Sequence, residues 1–148
     1  MENDISYKRA GLQELKSLLA VFAEAFDEPE TYQGAVPRDE YLNSLLADAT
    51  FVPVVAVADG RVVGGLAAYV LRKFEQERSE VYIYDLAVLE EYRRRGIATG
   101  LIDHLRGIAR DIGAWVIYVQ ADPPDEPAVK LYESLGIRED VLHFDIMP

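Results

Sequence analysis

A chain of 148 residues with 50% hydrophobic content suits one compact α/β domain and would be cramped as two. Its 26 acidic against 15 basic residues leave a formal charge of -11, which repels phosphate backbones and anionic membranes and attracts polycations, so nucleic acid and membrane partners are not expected. The absence of cysteine and the presence of only two histidines remove disulfides, thiolate nucleophiles and Cys-ligated zinc, and no metal is expected.

The acidic start Met1-Glu2-Asn3-Asp4 leads into no long apolar run, and no stretch has enough consecutive apolar residues to span a bilayer, so a cytoplasmic protein is expected. After Gly11, the residues Leu12, Leu15, Leu19, Phe22 and Phe26 recur at spacings of three and four, which predicts a helix with one apolar stripe. Residues 27–36 turn polar around Pro29, Tyr32 and Gly34 and form a candidate substrate loop; Pro37 then opens a second helix carrying Tyr41, Leu42, Leu45 and Leu46. Two strands, 51–58 and 61–71, flank Asp59-Gly60, a pair suited to the left-handed geometry of a tight hairpin turn. Residues 79–88 read as a strand in which Val81, Ile83 and Asp85 share one face and Glu80, Tyr82 and Tyr84 the other.

Helical periodicity returns over 96–110 through Ile97, Leu101, Leu105 and Ile108, with Gly113 placed as a C-terminal stop. Residues 114–119 read as a buried strand, 127–135 as a helix stopped by Gly136, and Leu142, Phe144 and Ile146 alternate with His143 and Asp145 as a last strand. No repeat, low-complexity tract or linker breaks the chain, so a single domain over 1–148 is expected.

The segment richest in chemistry is Asp85-Leu86-Ala87-Val88, a short acidic connection, and Arg93-Arg94-Arg95-Gly96-Ile97-Ala98-Thr99 opening a helix. Unpaired N–H groups at a helix start bind anions, small residues admit a phosphate close to the backbone, and arginines add charge-assisted donors. The same run also reads as a charged helix cap on a solvated surface. The Gly-Lys-Ser/Thr ending of a P-loop is missing, and so is a three-glycine dinucleotide fingerprint.

Arg-x-x-Gly-x-Ala after a Leu-Ala-Val strand resembles the pyrophosphate loop of the GNAT acetyltransferase superfamily. The later run Asp125-Glu126-Pro127-Ala128, Leu131-Tyr132 and Leu135-Gly136-Ile137 matches the superfamily's second motif, in the correct order. The resemblance implies a GNAT fold: a mixed, mostly antiparallel central sheet, splayed at the acetyl-CoA site, with helices on both faces. It also implies acetyl-CoA as cosubstrate, held by Leu86, Ala87, Val88, Arg93 through Thr99, Asp125, Ala128 and Tyr132. Tyr132 becomes the general acid that protonates the departing thiolate, and a bulge is expected at Leu86-Ala87-Val88, where the Val88 amide faces the thioester oxygen. Asp125 stands where many relatives have Asn, and could cap the helix instead.

An ammonium substrate must lose a proton to become a nucleophile. Asp85, at the strand end, is the first candidate base; a structural role, bonding nearby amides, is its alternative, and His143 is a competing base. The segments Tyr82-Ile83-Tyr84-Asp85-Leu86-Ala87-Val88, Ile117-Tyr118-Val119-Gln120-Ala121-Asp122 and His143-Phe144-Asp145-Ile146 look like aminoglycoside 3-N-acetyltransferases of the gentamicin and fortimicin resistance type. That kinship implies acetylation of the 3-amino group of 2-deoxystreptamine, with Tyr32, Glu80, Tyr82, Asp85, Asp122, Glu126, His143 and Asp145 around the substrate, and a homodimer is expected. A polyamine acetyltransferase, a protein acetyltransferase and a non-catalytic CoA-binding module are the alternatives.

Overall fold

The computed structural model describes residues 4–148, which fall into two compact units, the larger ending at Tyr118 and the smaller running Val119–Pro148. The larger unit opens with strand β1 (Ile5–Arg9), helix α1 (Leu12–Ala25), the short helix α2 (Pro29–Gln33) and helix α3 (Asp39–Leu46). Strands β2 (Phe51–Ala58), β3 (Arg61–Arg72) and β4 (Ser79–Val88), a 3-10 turn, helix α4 (Ile97–Asp111) and β5 (Val116–Val119) follow, and α5 (Glu126–Leu135) lies in the smaller unit. The five strands lie in the order β1-β2-β3-β4-β5 in one sheet, which is mixed, mostly antiparallel and open. β1 through β4 pair antiparallel in sequence. The Trp115 amide donates to the Ser79 carbonyl at 2.9 Å; with β4 running forward from Ser79 and β5 from Val116, β5 must run parallel to β4.

The β2–β3 turn forms as the Asp59-Gly60 pair dictates, with φ of 51° and 76°, the two left-handed residues of a tight hairpin. β2 is buried along nearly its whole length, so the sheet needs a cover on each face. On one face Leu15, Leu18, Val21 and Phe22 of α1 and Leu42 of α3 join Phe51, Val55 and Ala87 in one cluster. α4 packs on the strands with Ile97, Leu101 and Leu105 fully buried; each such side chain contributes roughly 2 kcal/mol over remaining in water. α1 sits close because Gly65 carries no side chain: a Cβ there would meet Leu18 Cδ1 and lie 2.8 Å from the Val54 carbonyl oxygen.

Several sequence expectations change. β1 and α2 were not foreseen; β1 is too short and too exposed to show a period, and α2 is a five-residue helix in a polar stretch. The α1 stripe runs through Leu18 rather than Leu19. β5 is shorter than the apolar run over 114–119 and its residues are at most half-buried, since it ends the strand order. Residues 142–146 form no strand; their alternation is strand-like, but a strand requires a hydrogen-bonded neighbour and α5 is the smaller unit's only regular element apart from the last residue of β5.

The pairing irregularity of β4 also falls elsewhere. Ala67 pairs with Asp85 and Ala68 with Ile83, leaving Tyr84 as an extra residue, whereas Leu86, Ala87 and Val88 pair regularly with Leu66, Gly65 and Gly64. One extra residue flips the faces of everything after it. Asp85 therefore leaves the face of Val81 and Ile83 and joins that of its neighbours across and along the sheet, Ala67, Tyr69 and Tyr82.

Candidate active site

β4 leads to the start of α4 through a turn with unusual backbone. The Tyr92 amide donates to the Leu89 carbonyl at 2.9 Å and the Arg93 amide to the Glu90 carbonyl at 3.1 Å. Arg94 and Gly96 then take left-handed φ values of 65° and 76°. For an arginine this costs on the order of 1 kcal/mol or more, a strain retained where the surroundings impose it. Gly96 is the N-cap of α4 and offers no side-chain cap, and the first turn carries no acidic residue. The first intrahelical bond runs from the Gly100 amide to the Gly96 carbonyl at 2.9 Å, so the amides of Ile97, Ala98 and Thr99 have no partner inside the helix. This is an uncapped positive helix end, the electrostatic arrangement that receives an anion.

The three arginines are not equivalent. Arg93 donates its Nε to the Val88 carbonyl at 3.1 Å and ties the turn to the end of β4. The Arg95 guanidinium lies 5.2 Å from the centre of the Tyr92 ring, and Arg94 and Arg95 are exposed at the helix start. Because the Leu89 amide donates to the Val63 carbonyl and peptide groups alternate sides along a strand, the amides of Val88 and Leu86 point away from β3. β5 is four residues long against ten for β4, and its pairing begins at Ser79, so Asp85 to Val88 run beyond the end of β5.

Asp85 is the first residue of that stretch. Burial raises its carboxyl above the ordinary aspartate value; the hydrogen bond from Tyr32 opposes this and the charge of Glu28 adds to it. The Tyr32 hydroxyl donates to Asp85 Oδ1 at 3.4 Å, and burial, followed by the charges of Asp85 and Glu28, pushes that phenol up to about 12. Around the carboxylate stand further phenols: Tyr69 packs on Phe51 and Tyr84, and Tyr82 on Tyr84 and Tyr118, the last pair stacked with ring centres 4.7 Å apart. Burial raises Tyr69 and Tyr82 as well, Asp85 contributing to both, so these hydroxyls remain protonated at neutral pH. Glu80 is 3.8 Å from Lys73 Nζ, away from this group along β4.

The smaller unit carries the other expected residues. Asp125 accepts the Ala128 amide at 3.3 Å and caps the start of α5, while its own amide donates to the Asp122 carbonyl at 2.9 Å. Glu126 is the first residue of α5. Burial, and then the charge of Asp125, pushes the Tyr132 hydroxyl up to about 12. His143 Nε2 and Asp145 Oδ1 are 2.8 Å apart, a pairing that alternation on one side of an extended segment allows.

The structure thus joins Tyr32, Tyr82 and Asp85, and joins His143 with Asp145. Tyr69, Tyr84 and Glu28 escaped the sequence reading. Tyr69 is brought in by the β3–β4 register and Tyr84 by the bulge, neither of which leaves a mark in a strand's alternation, and Glu28 is one acidic residue among 26 acidic positions.

An aminoglycoside acetyltransferase, HMB0005, from an uncultured soil metagenomic sample superposes with a TM-score of 0.95 at 51% identity, over 98% of this chain and 99% of that one. A second soil metagenomic enzyme, the aminoglycoside acetyltransferase meta-AAC0020 in complex with sisomicin, superposes at 0.90 with 30% identity, covering 97% and 96% of the two chains. An N-alpha-acetyltransferase of Saccharolobus solfataricus is 33% identical over 96 residues, 57% of this chain and 55% of its own length, so the chain spans about half the length of that curated relative. The sequence profile of the acetyltransferase (GNAT) family matches residues 15–137, and with the uncapped α4 start and the β4 end in the places described, this chain belongs to that family.

Proposed function

We propose that the protein transfers the acetyl group of acetyl-CoA directly to an amine of an aminoglycoside, the 3-amino group of the 2-deoxystreptamine ring, and so confers resistance. The chain works in this reading as one acetyltransferase domain in the cytoplasm. The observation that carries it is a partly buried carboxylate, Asp85, which a bulge in β4 turns to the face of Tyr69 and Tyr82, a few residues before an uncapped helix start.

The residues present fit the cosubstrate. The amides of Ile97, Ala98 and Thr99, with Arg94 and Arg95, would hold a diphosphate, and Arg93 keeps the turn in shape. Acetyl-CoA supplies an activated acyl group. Asp85 accepts the proton that the substrate ammonium must shed, its raised proton affinity suiting it to that task. The nitrogen lone pair then forms the N–C bond as the C–S bond breaks; the Val88 amide stabilises the charge on the acyl oxygen and Tyr132 gives its proton to the leaving sulfur. Asp122, Glu126 and Asp145 add negative charge for a polyammonium ligand, whereas Glu80 is engaged with Lys73. Likeness to two aminoglycoside acetyltransferases, one bound to sisomicin, supports the substrate class. A second reading, acetylation of a peptide N-terminal amine, draws on the Saccharolobus relative.

Incubation with acetyl-CoA and gentamicin, followed by NMR of the product, tests this. A new acetamide on the 3-nitrogen is expected. Release of CoA with a peptide or spermidine and none with gentamicin would transfer the assignment to the other substrate.

A further inference from the structure

The chain enters α2 through Asp27, a non-glycine residue at φ 52°, and the Glu28 amide donates to the Ala23 carbonyl at 3.0 Å. One turn later the Tyr32 ring lies against Phe22 and Phe26, with centroids 5.7 Å away in each case. The two phenylalanines also stack on each other at 5.5 Å. A surface helix of five residues with no buried residue thus has one side chain held against a pair of stacked aromatic rings, and the hydroxyl of that side chain reaches Asp85. Neither the strained turn nor the clamp is required to bury α2 itself.

We infer that α2 is a clasp on Asp85, in which Tyr32 is a positioning residue: with its ring held against Phe22 and Phe26, it presents its hydroxyl to the carboxylate and orients it. The inference rests on the proposed reading of Asp85 as the base. The groups that interact with Asp85 are Glu28 and Tyr32 from the α2 segment, Tyr69 from β3 and Tyr82 from β4, with Tyr84 packed on Tyr69 and Tyr82 and Tyr118 of β5 stacked on Tyr82. Tyr32 donates a hydrogen bond to the carboxylate, and the negative charge of Glu28 acts on it through space. The phenol keeps its proton across the working range, so it is a donor at every pH where the enzyme turns over. A substrate ammonium reaching Asp85 competes with this hydroxyl, which ties the fit of α2 to occupancy of the base.

The test is a carboxyl 13C NMR titration of the full chain, the Asp85 resonance being identified by its loss in Asp85→Asn. Tyr32→Phe keeps the ring in its clamp and removes the donor; the Asp85 midpoint should rise by about half a unit, the scale of one hydrogen bond net of solvent. Glu28→Gln, at an exposed position, should lower it, and this shift alone should shrink in high salt. An unmoved midpoint in Tyr32→Phe overturns the clasp. The acidic limb of kcat/KM for gentamicin acetylation should follow the same two directions. Midpoints that move while that limb stays put would leave the clasp standing and remove Asp85 as the base.

Discussion

Asp85 carries a cost that its proposed role as the base would explain. Its carboxyl is raised by burial, so between the ordinary aspartate value and the raised one the folded chain binds more protons than the unfolded chain, and stability falls as pH rises through that window. The penalty is fully present above the raised value and absent below the ordinary one. Asp85→Asn should therefore cut turnover on the order of a hundredfold yet raise the melting temperature at neutral pH, with the gain vanishing as pH drops below about 4. Thermal melts of both proteins across pH check this; an unchanged difference at low pH would point to packing instead of charge. For Tyr132, a hydroxyl that stays protonated suits an acid. Tyr132→Phe should lower kcat about tenfold or more while CoA affinity, followed by calorimetry, holds.

At the scale of elements, the decisive features are one bulge and one helix start. Gly96 has open space where a Cβ would go, so its need for glycine is conformational: φ is 76°. Gly96→Ala should strain the turn by about 1 kcal/mol and raise KM for acetyl-CoA roughly fivefold with kcat little altered, measured in steady state with saturating amine. An equal fall in kcat would mean that the turn shapes the reacting end as well. Much of this region is legible in the sequence, because a helix start announces itself through composition: three arginines, a glycine and small residues before an apolar stripe. The bulge is not. Strand alternation assigns Asp85 to the face of Val81 and Ile83, and one extra residue at Tyr84, visible only in the register with β3, moves it to the face of Tyr69 and Tyr82.

Across the whole molecule, a formal charge of -11 surrounds a site proposed for polycations. Attraction over distances near a Debye length weakens with salt. KM for gentamicin should rise several-fold between low and high ionic strength, and KM for the anionic acetyl-CoA should not rise in parallel. Assays in sodium chloride at fixed pH separate the two, and a salt-independent KM for the amine would reduce the acidity to a matter of solubility.

By itself the sequence determined the helices α1, α3, α4 and α5, the β2–β3 hairpin and the extent of β4, because each is written in a local period or a turn residue. It also marked the start of α4, whose chemistry lies in consecutive residues. Only tertiary structure decided which face Asp85 occupies, that Tyr32, Tyr69 and Tyr84 gather around it, and that Arg93 serves the turn while Arg94 and Arg95 stay exposed. Those outcomes depend on register and on contacts between residues as many as 53 apart in the chain, and a local pattern carries no information about them.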